Sequence, residues 1–151
     1  MSAATRVLVL EDDAQRIAEF RARFQELERA SGTRQLVRFV RHVGEAISEL
    51  TTREYEVLLL DHDLNGTSGT DSADTDTGAE LVRWLASGGA VAANRRIIIH
   101  SLNARGARRM ADDLGRAGIS AECYPRLWKS SVFREAFESE FDPPDDSSLD
   151  D

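Results

Sequence analysis

One cysteine and one lysine, Cys123 and Lys129, stand in 151 residues. A lone cysteine excludes an internal disulfide, and Cys123 is expected to be a small core thiol in a strand. Positive charge is carried almost wholly by arginine, which reads as a coding bias. No apolar run approaches the roughly 20 residues of a membrane span. The opening MSAATR has no apolar segment of the secretory type, so the cytoplasm is the expected location and a membrane is not an expected partner. No Gly-Lys-Ser/Thr follows the glycines, which excludes a phosphate-cradling loop of that kind. The aspartates of 65–77, NGTSGTDSADTDT, miss calcium-loop spacing: counting back from Gly78, Ala73, Thr75 and Thr77 fall on ligand positions. Excess positive charge is also lacking. The net charge is −8, and the last ten residues, DPPDDSSLDD, contribute five Asp and no base. Residues 1–141 are therefore only mildly acidic, which argues against a grip on duplex DNA and leaves recognition of a single phosphate end open.

What is present is globular. A hydrophobic share of 41% and a charged share of 30% suit one domain with a sizeable core. The expected division is a domain over 1–141 and a disordered acidic tail over 142–151. Five apolar runs alternate with amphipathic segments. Strands are expected at Arg6–Leu10, Leu36–Val43, Val57–Leu60, Ile97–Ile99 and Ile119–Tyr124. Helices are expected at Ala14–Ala30, Gly44–Leu50, Gly78–Ala86, Ala104–Ala117 and Val132–Phe141. In the first helix Ile17, Phe20, Phe24 and Leu27 form one apolar face; Asp12 or Asp13 can cap it, and Ser31-Gly32 ends it. Trp84 reads as core, and His42 as a loop residue. Five strand–helix repeats call for α/β architecture, a parallel sheet with helices on both faces. The flavodoxin-like strand order 2-1-3-4-5 brings the carboxyl ends of strands one, three and four together, where such folds bind ligands.

Those ends carry the chemistry. Strand one runs into Glu11, Asp12 and Asp13. Strand three runs into Asp61, His62 and Asp63. Strand four runs into His100 and Ser101, followed by Asn103, Arg105, Arg108 and Arg109. Carboxylates crowded into one crevice favour a hard divalent cation, Mg²⁺ or Mn²⁺, with Glu11, Asp12, Asp61 and Asp63 as candidate ligands. Ser101, Asn103, Arg105 and Arg109, at and after a helix start, suit a phosphate group. His62 and His100 can serve as general acid and base near neutral pH, with Asp61 as a possible nucleophile. Together these suit phosphodiester or phosphoryl-transfer chemistry. Structural readings stand beside each: Asp13 as a helix cap, His100 as a satisfied core residue, and Arg108-Arg109 as a solvated helix face.

Over about Arg6–Phe141 the chain resembles a receiver domain of two-component systems. Glu11-Asp12 match the acidic pair, Asp61 in LLLDHDLNG the phosphoacceptor, and Ser101 the small hydroxyl residue after strand four. Where receivers carry Lys-Pro after strand five, this sequence has Tyr124-Pro125. An ordinary phosphorylation switch, which uses that lysine, does not follow from the pattern. The set LDHDL (Leu60–Leu64), TGAELVRWL (Thr77–Leu85) and IIHSLNARGARRM (Ile98–Met110) is similar to the cyclic-phosphate processing receiver domain. That resemblance implies handling of cyclic phosphates, such as a 2′,3′-cyclic phosphate end of RNA, by metal-assisted hydrolysis. The alternatives are a non-enzymatic atypical receiver that docks a protein partner, and a cyclic-nucleotide-binding module.

Overall fold

The computed structural model describes residues 5–32, 34–64, 77–88 and 95–138. The tail from 142 onward and almost all of the polar loop 65–77 lie outside these residues, as do 139–141 of the expected last helix. In chain order the elements are β1 (Thr5–Leu10), α1 (Ala14–Ser31), β2 (Gln35–Val40), α2 (Val43–Thr52), β3 (Val57–Leu60), α3 (Gly78–Ala86), β4 (Arg96–Ile99), α4 (Ala104–Arg116), β5 (Glu122–Cys123), a 3₁₀ turn (Leu127–Lys129) and α5 (Val132–Glu138). The strands form one parallel sheet in the order β2-β1-β3-β4-β5.

Side-chain alternation along the strands divides the interior into two cores. Leu8, Leu10, Leu58, Leu60, Ile97 and Ile99 face the layer that holds Val43, Leu50, Leu81, Val82, Met110 and Leu114 of α2, α3 and α4. Val7, Val9, Val57, Leu59 and Ile98 face Phe20, Phe24 and Leu27 of α1, Leu127 and Trp128 of the turn, and Phe133 and Phe137 of α5. The three central strands are thus apolar on both faces, the pattern of a sheet covered on each side. Asp13 caps α1, its Oδ1 accepting from the N–H groups of Gln15 and Arg16; Gly32, at φ +75°, closes the helix.

Several boundaries differ from the sequence reading. β2 stops at Val40, because its partner β1 ends at Leu10 in the same register. Val43 instead opens α2, and the Glu45 carboxylate reaches back to accept from the Arg41 N–H. β5 shrinks to two residues because only Ile98 and Ile99 of β4 offer it partners. Ile119, just beyond Gly118 (φ +82°), packs on the core without joining the sheet. Cys123 is not a core thiol: it is exposed on this short edge strand. Trp84 is half-buried against the α2/α3/α4 core. Among the described residues, no helix is long and apolar enough to cross a membrane.

Candidate functional site

Register builds the site. Leu10, Leu60 and Ile99 are aligned across β1, β3 and β4. The ladder runs one step further, with the Asp61 N–H donating to the Leu10 carbonyl and the His100 N–H to that of Leu60. Glu11, Asp61 and His100 therefore follow one another across three adjacent strands. Each lies two positions beyond a residue buried against α1, so alternation sends all three side chains toward that helix. Glu11 and His100 are fully buried and Asp61 is 1% exposed. One ligand atom from each lies within 4.8 Å of the others.

Arg16, in the first turn of α1, closes this trio. Its Nη1 stands 3.5 Å from Glu11 Oε2 and 3.5 Å from Asp61 Oδ2, and its guanidinium lies over the Trp128 ring. Glu11 Oε2 also accepts from the Asp13 N–H. The other carboxylate oxygens, Glu11 Oε1 and Asp61 Oδ1, are buried without a hydrogen-bond partner, as are both ring nitrogens of His100. Burial, and then the neighbouring Asp61, push Glu11 up to about 8. Burial likewise pushes Asp61 up to about 6, against the opposing pull of Arg16 and the Ser101 hydroxyl. Burial lowers His100 to about 3, so its ring is neutral. Two orphaned carboxylate oxygens beside a neutral imidazole are a donor set that fits a divalent cation.

The next residue along each strand end faces the other way. His62 is buried under the first turn of α4, and its Nδ1 lies 2.7 Å from Asp63 Oδ1. An ionised carboxylate only accepts, so this contact places the proton on Nδ1 and leaves Nε2 basic. The Asn103 side-chain amide donates to the same Asp63 oxygen at 3.2 Å, while Asn103 Oδ1 caps α4 at the Gly106 N–H. Ser101 is buried, and its hydroxyl accepts from the Asn103 N–H.

Two glycines permit this packing. A Cβ on Gly78 would stand 2.0 Å from the Asp61 carbonyl oxygen, and one on Gly106 would stand 2.7 Å from the His62 ring. Gly106→Ala is therefore expected to lose about 1–2 kcal/mol: the clash exceeds the ~1 kcal/mol that alanine gains over glycine within a helix. It also shifts the His62 ring off Asp63. Urea unfolding and the imidazole proton resonances of His62 check both effects; an unchanged His62 spectrum would mean that Gly106 does not position the ring.

The sequence-derived residues thus fall into separate places. Glu11, Asp61 and His100 come together on the α1 side; His62, Asp63 and Asn103 gather at the start of α4, and the Ser101 hydroxyl reaches both the Asn103 N–H and the Asp61 carboxylate. Asp12 is half-buried and outside the three-residue cluster, and Arg105, Arg108 and Arg109 are exposed on α4. His62 and His100, paired in the sequence reading as acid and base, lie on opposite faces of the sheet because β3 and β4 end in register and the two residues differ by one step of alternation. Arg16 was missed. The available signal was a cation three residues after Asp13, in the first turn of a helix that begins at the strand ends. Trp128 was missed because nothing local marks the turn after Pro125 as a cover for the site.

The model of the cyclic-phosphate processing receiver domain matches residues 7–116. No curated protein matches in sequence. Among solved structures, the chain is similar to the signal receiver domain of a putative Luxo repressor from Vibrio parahaemolyticus, at 14% identity and TM-score 0.59, covering 92% of this chain and 89% of that one. A Francisella response-regulator receiver domain is similar at 18% identity and TM-score 0.59, covering 91% and 98%. The Thermotoga maritima response regulator TrrA, solved in complex with Mg²⁺ and BeF, is similar at 18% identity and TM-score 0.54, covering 91% and 96%. These likenesses show the receiver fold, in agreement with the observed strand order. With its family model matching over most of its length, the chain belongs to the cyclic-phosphate processing receiver domain family.

Proposed function

We propose that this protein opens cyclic phosphate esters, such as a 2′,3′-cyclic phosphate end of RNA, to a monophosphate. The observation that carries this reading is the His62–Asp63 pair, 2.7 Å apart and braced by Asn103, at the same strand end as the buried carboxylate of Asp61 but on the α4 side of the sheet. A carboxylate-oriented imidazole is a proton-transfer group, and none is needed for a receiver that is merely phosphorylated.

Glu11 and Asp61 would hold a divalent cation, Mg²⁺ or Mn²⁺, which when bound would supply charge neutralisation and Lewis-acid polarisation at the phosphate. With both carboxylates ionised, Arg16 leaves the buried trio one negative charge in excess. A bound divalent ion would convert that to one positive charge, matching the single negative charge of a cyclic phosphodiester. His62 Nε2 takes a proton from water as the water oxygen bonds to phosphorus. The same imidazolium returns the proton to the ribose oxygen as its bond to phosphorus breaks. Arg105 and Arg109, exposed on α4, steer the phosphate, and Ser101 and Asn103 order the α4 start beneath it. Asp63 serves His62 and not the metal. The setting is cytoplasmic.

The test is a short RNA ending in 2′,3′-cyclic phosphate, incubated with the protein and Mg²⁺ or Mn²⁺ or with chelator, the end identified by mass. The expected product is a 2′- or 3′-monophosphate, formed only with metal. An unchanged end with every metal would move the assignment to a second reading, a non-enzymatic receiver or cyclic-nucleotide-binding module that also docks a protein partner. That reading is favoured by the near-complete burial of Asp61, which leaves little room for turnover without opening.

A further inference from the structure

We propose that His100 is a metal ligand, completing with Glu11 and Asp61 a set of two carboxylates and one imidazole that takes a transition-metal ion (Mn²⁺, Fe²⁺, Co²⁺ or Zn²⁺) in preference to Mg²⁺. This rests on the reading that the two carboxylates hold a divalent cation, and it names the class of ion and a third donor.

His100 is fully buried, and neither of its ring nitrogens makes a well-formed hydrogen bond; the backbone carbonyls of His100, Leu10 and Leu59 lie close enough only to offset part of the cost of burying it. A buried imidazole with both nitrogens unpartnered is costly, and native proteins rarely tolerate one without a reason. Its surroundings explain the ring but not the nitrogens. Phe20 and Trp128 meet it edge-on, with centroids 5.0 and 6.2 Å away, and a phenyl ring would satisfy those contacts as well. What the imidazole adds is a nitrogen aimed at the acidic pair: Nδ1 stands 3.6 Å from Glu11 Oε1. That oxygen is itself unpartnered, as is Asp61 Oδ1.

The division of labour between carboxylate oxygens points the same way. Glu11 Oε2 and Asp61 Oδ2 are committed to Arg16, which leaves one oxygen of each for another partner. Donors bound at about 2.1 Å to a common ion stand roughly 3–4 Å apart, so the observed 3.6 Å spacing needs little adjustment and the 4.8 Å limit a modest one. Mg²⁺ prefers oxygen donors and keeps its waters, whereas an imidazole nitrogen is a good donor to the later divalent ions. The dry aromatic wall of Phe20 and Trp128 further disfavours a strongly hydrated ion. His100 then serves as a ligand and takes no part in proton transfer, which falls to His62 on the other face.

The full-length chain, freed of metal by chelator and dialysis, is loaded with Mn²⁺ and studied by pulsed electron paramagnetic resonance. The expected result is a nitrogen coupling from one coordinated imidazole, with Mg²⁺ displacing Mn²⁺ only at roughly 10- to 100-fold excess. His100→Phe, which keeps the ring packing, is expected to lose that coupling and to bring Mn²⁺ and Mg²⁺ within about threefold of each other. The wild-type spectrum decides the matter even if this variant does not fold. Bound Mn²⁺ without nitrogen coupling overturns the role of His100 and leaves the carboxylate cation site standing. Absence of bound Mn²⁺ at millimolar ion overturns both.

Discussion

Glu11→Gln is expected to stabilise the metal-free protein at pH 8 and to flatten its stability profile between about pH 4.5 and 8. The Glu11 carboxyl titrates at about 8 in the folded chain against 4.5 for the ordinary group, with burial and then Asp61 as the causes. Between those values the folded state retains a proton that the unfolded state has released. Stability therefore falls as pH rises through this window, and it is greatest on the acid side. The rise from 4.5 to about 8, at roughly 1.4 kcal/mol per pH unit, gives an upper bound of about 5 kcal/mol; sharing of charge with Asp61, itself raised to about 6, lowers the realised gain to a few kcal/mol. Glutamine fills the same space, keeps an oxygen for the Asp13 N–H and carries no charge. Urea unfolding of both proteins across this pH range, with chelator present, checks the expectation. Parallel curves for the two proteins would mean that Glu11 is ionised and already compensated in the folded state. With the preferred ion added the order should reverse, since ligand bound to the native state stabilises it and the variant has lost a ligand.

His62→Ala is expected to lower the rate of cyclic phosphate opening by about 10²- to 10⁴-fold, the usual contribution of a positioned general base. Metal binding should be unchanged, because His62 faces α4 and the Glu11–Asp61–His100 trio faces α1. Asp63→Asn should lose less: the ring stays in place, but its Nδ1 proton no longer meets an anion, so the imidazole is oriented less firmly. These two variants separate a chemical role from a structural one. Loss of activity accompanied by loss of metal binding, or by a collapsed near-ultraviolet circular dichroism spectrum, would count against His62 as the proton-transfer group. Full activity in His62→Ala would remove it from the mechanism.

Both effects depend on a geometry that the chain only partly advertises. The apolar runs Val57–Leu60 and Ile97–Ile99 locate the two central strands of the site, since short runs apolar on both sides suit a sheet covered on each face. The five strand–helix repeats and their right-handed crossovers lead to the observed order. Placement of Glu11, Asp61, His62, His100 and Ser101 at one sheet edge follows directly. The ends of β2 and β5 were misjudged because apolar residues such as Val43 and Ile119 satisfy a strand pattern and a helix-packing role equally well.

The sequence by itself determined the layered α/β fold, the acidic and histidine-bearing strand ends, and the family. Periodicity is a local property, and each of these is written in short continuous stretches of the chain. Only the tertiary structure decided which of those residues meet. Strand register aligned Glu11, Asp61 and His100 toward α1 and sent His62 to α4. Arg16 and Trp128 closed the acidic trio from segments that no local pattern connects to it. Register and helix docking are set by the burial of whole faces, an energy that belongs to the assembled sheet and to no single stretch of chain.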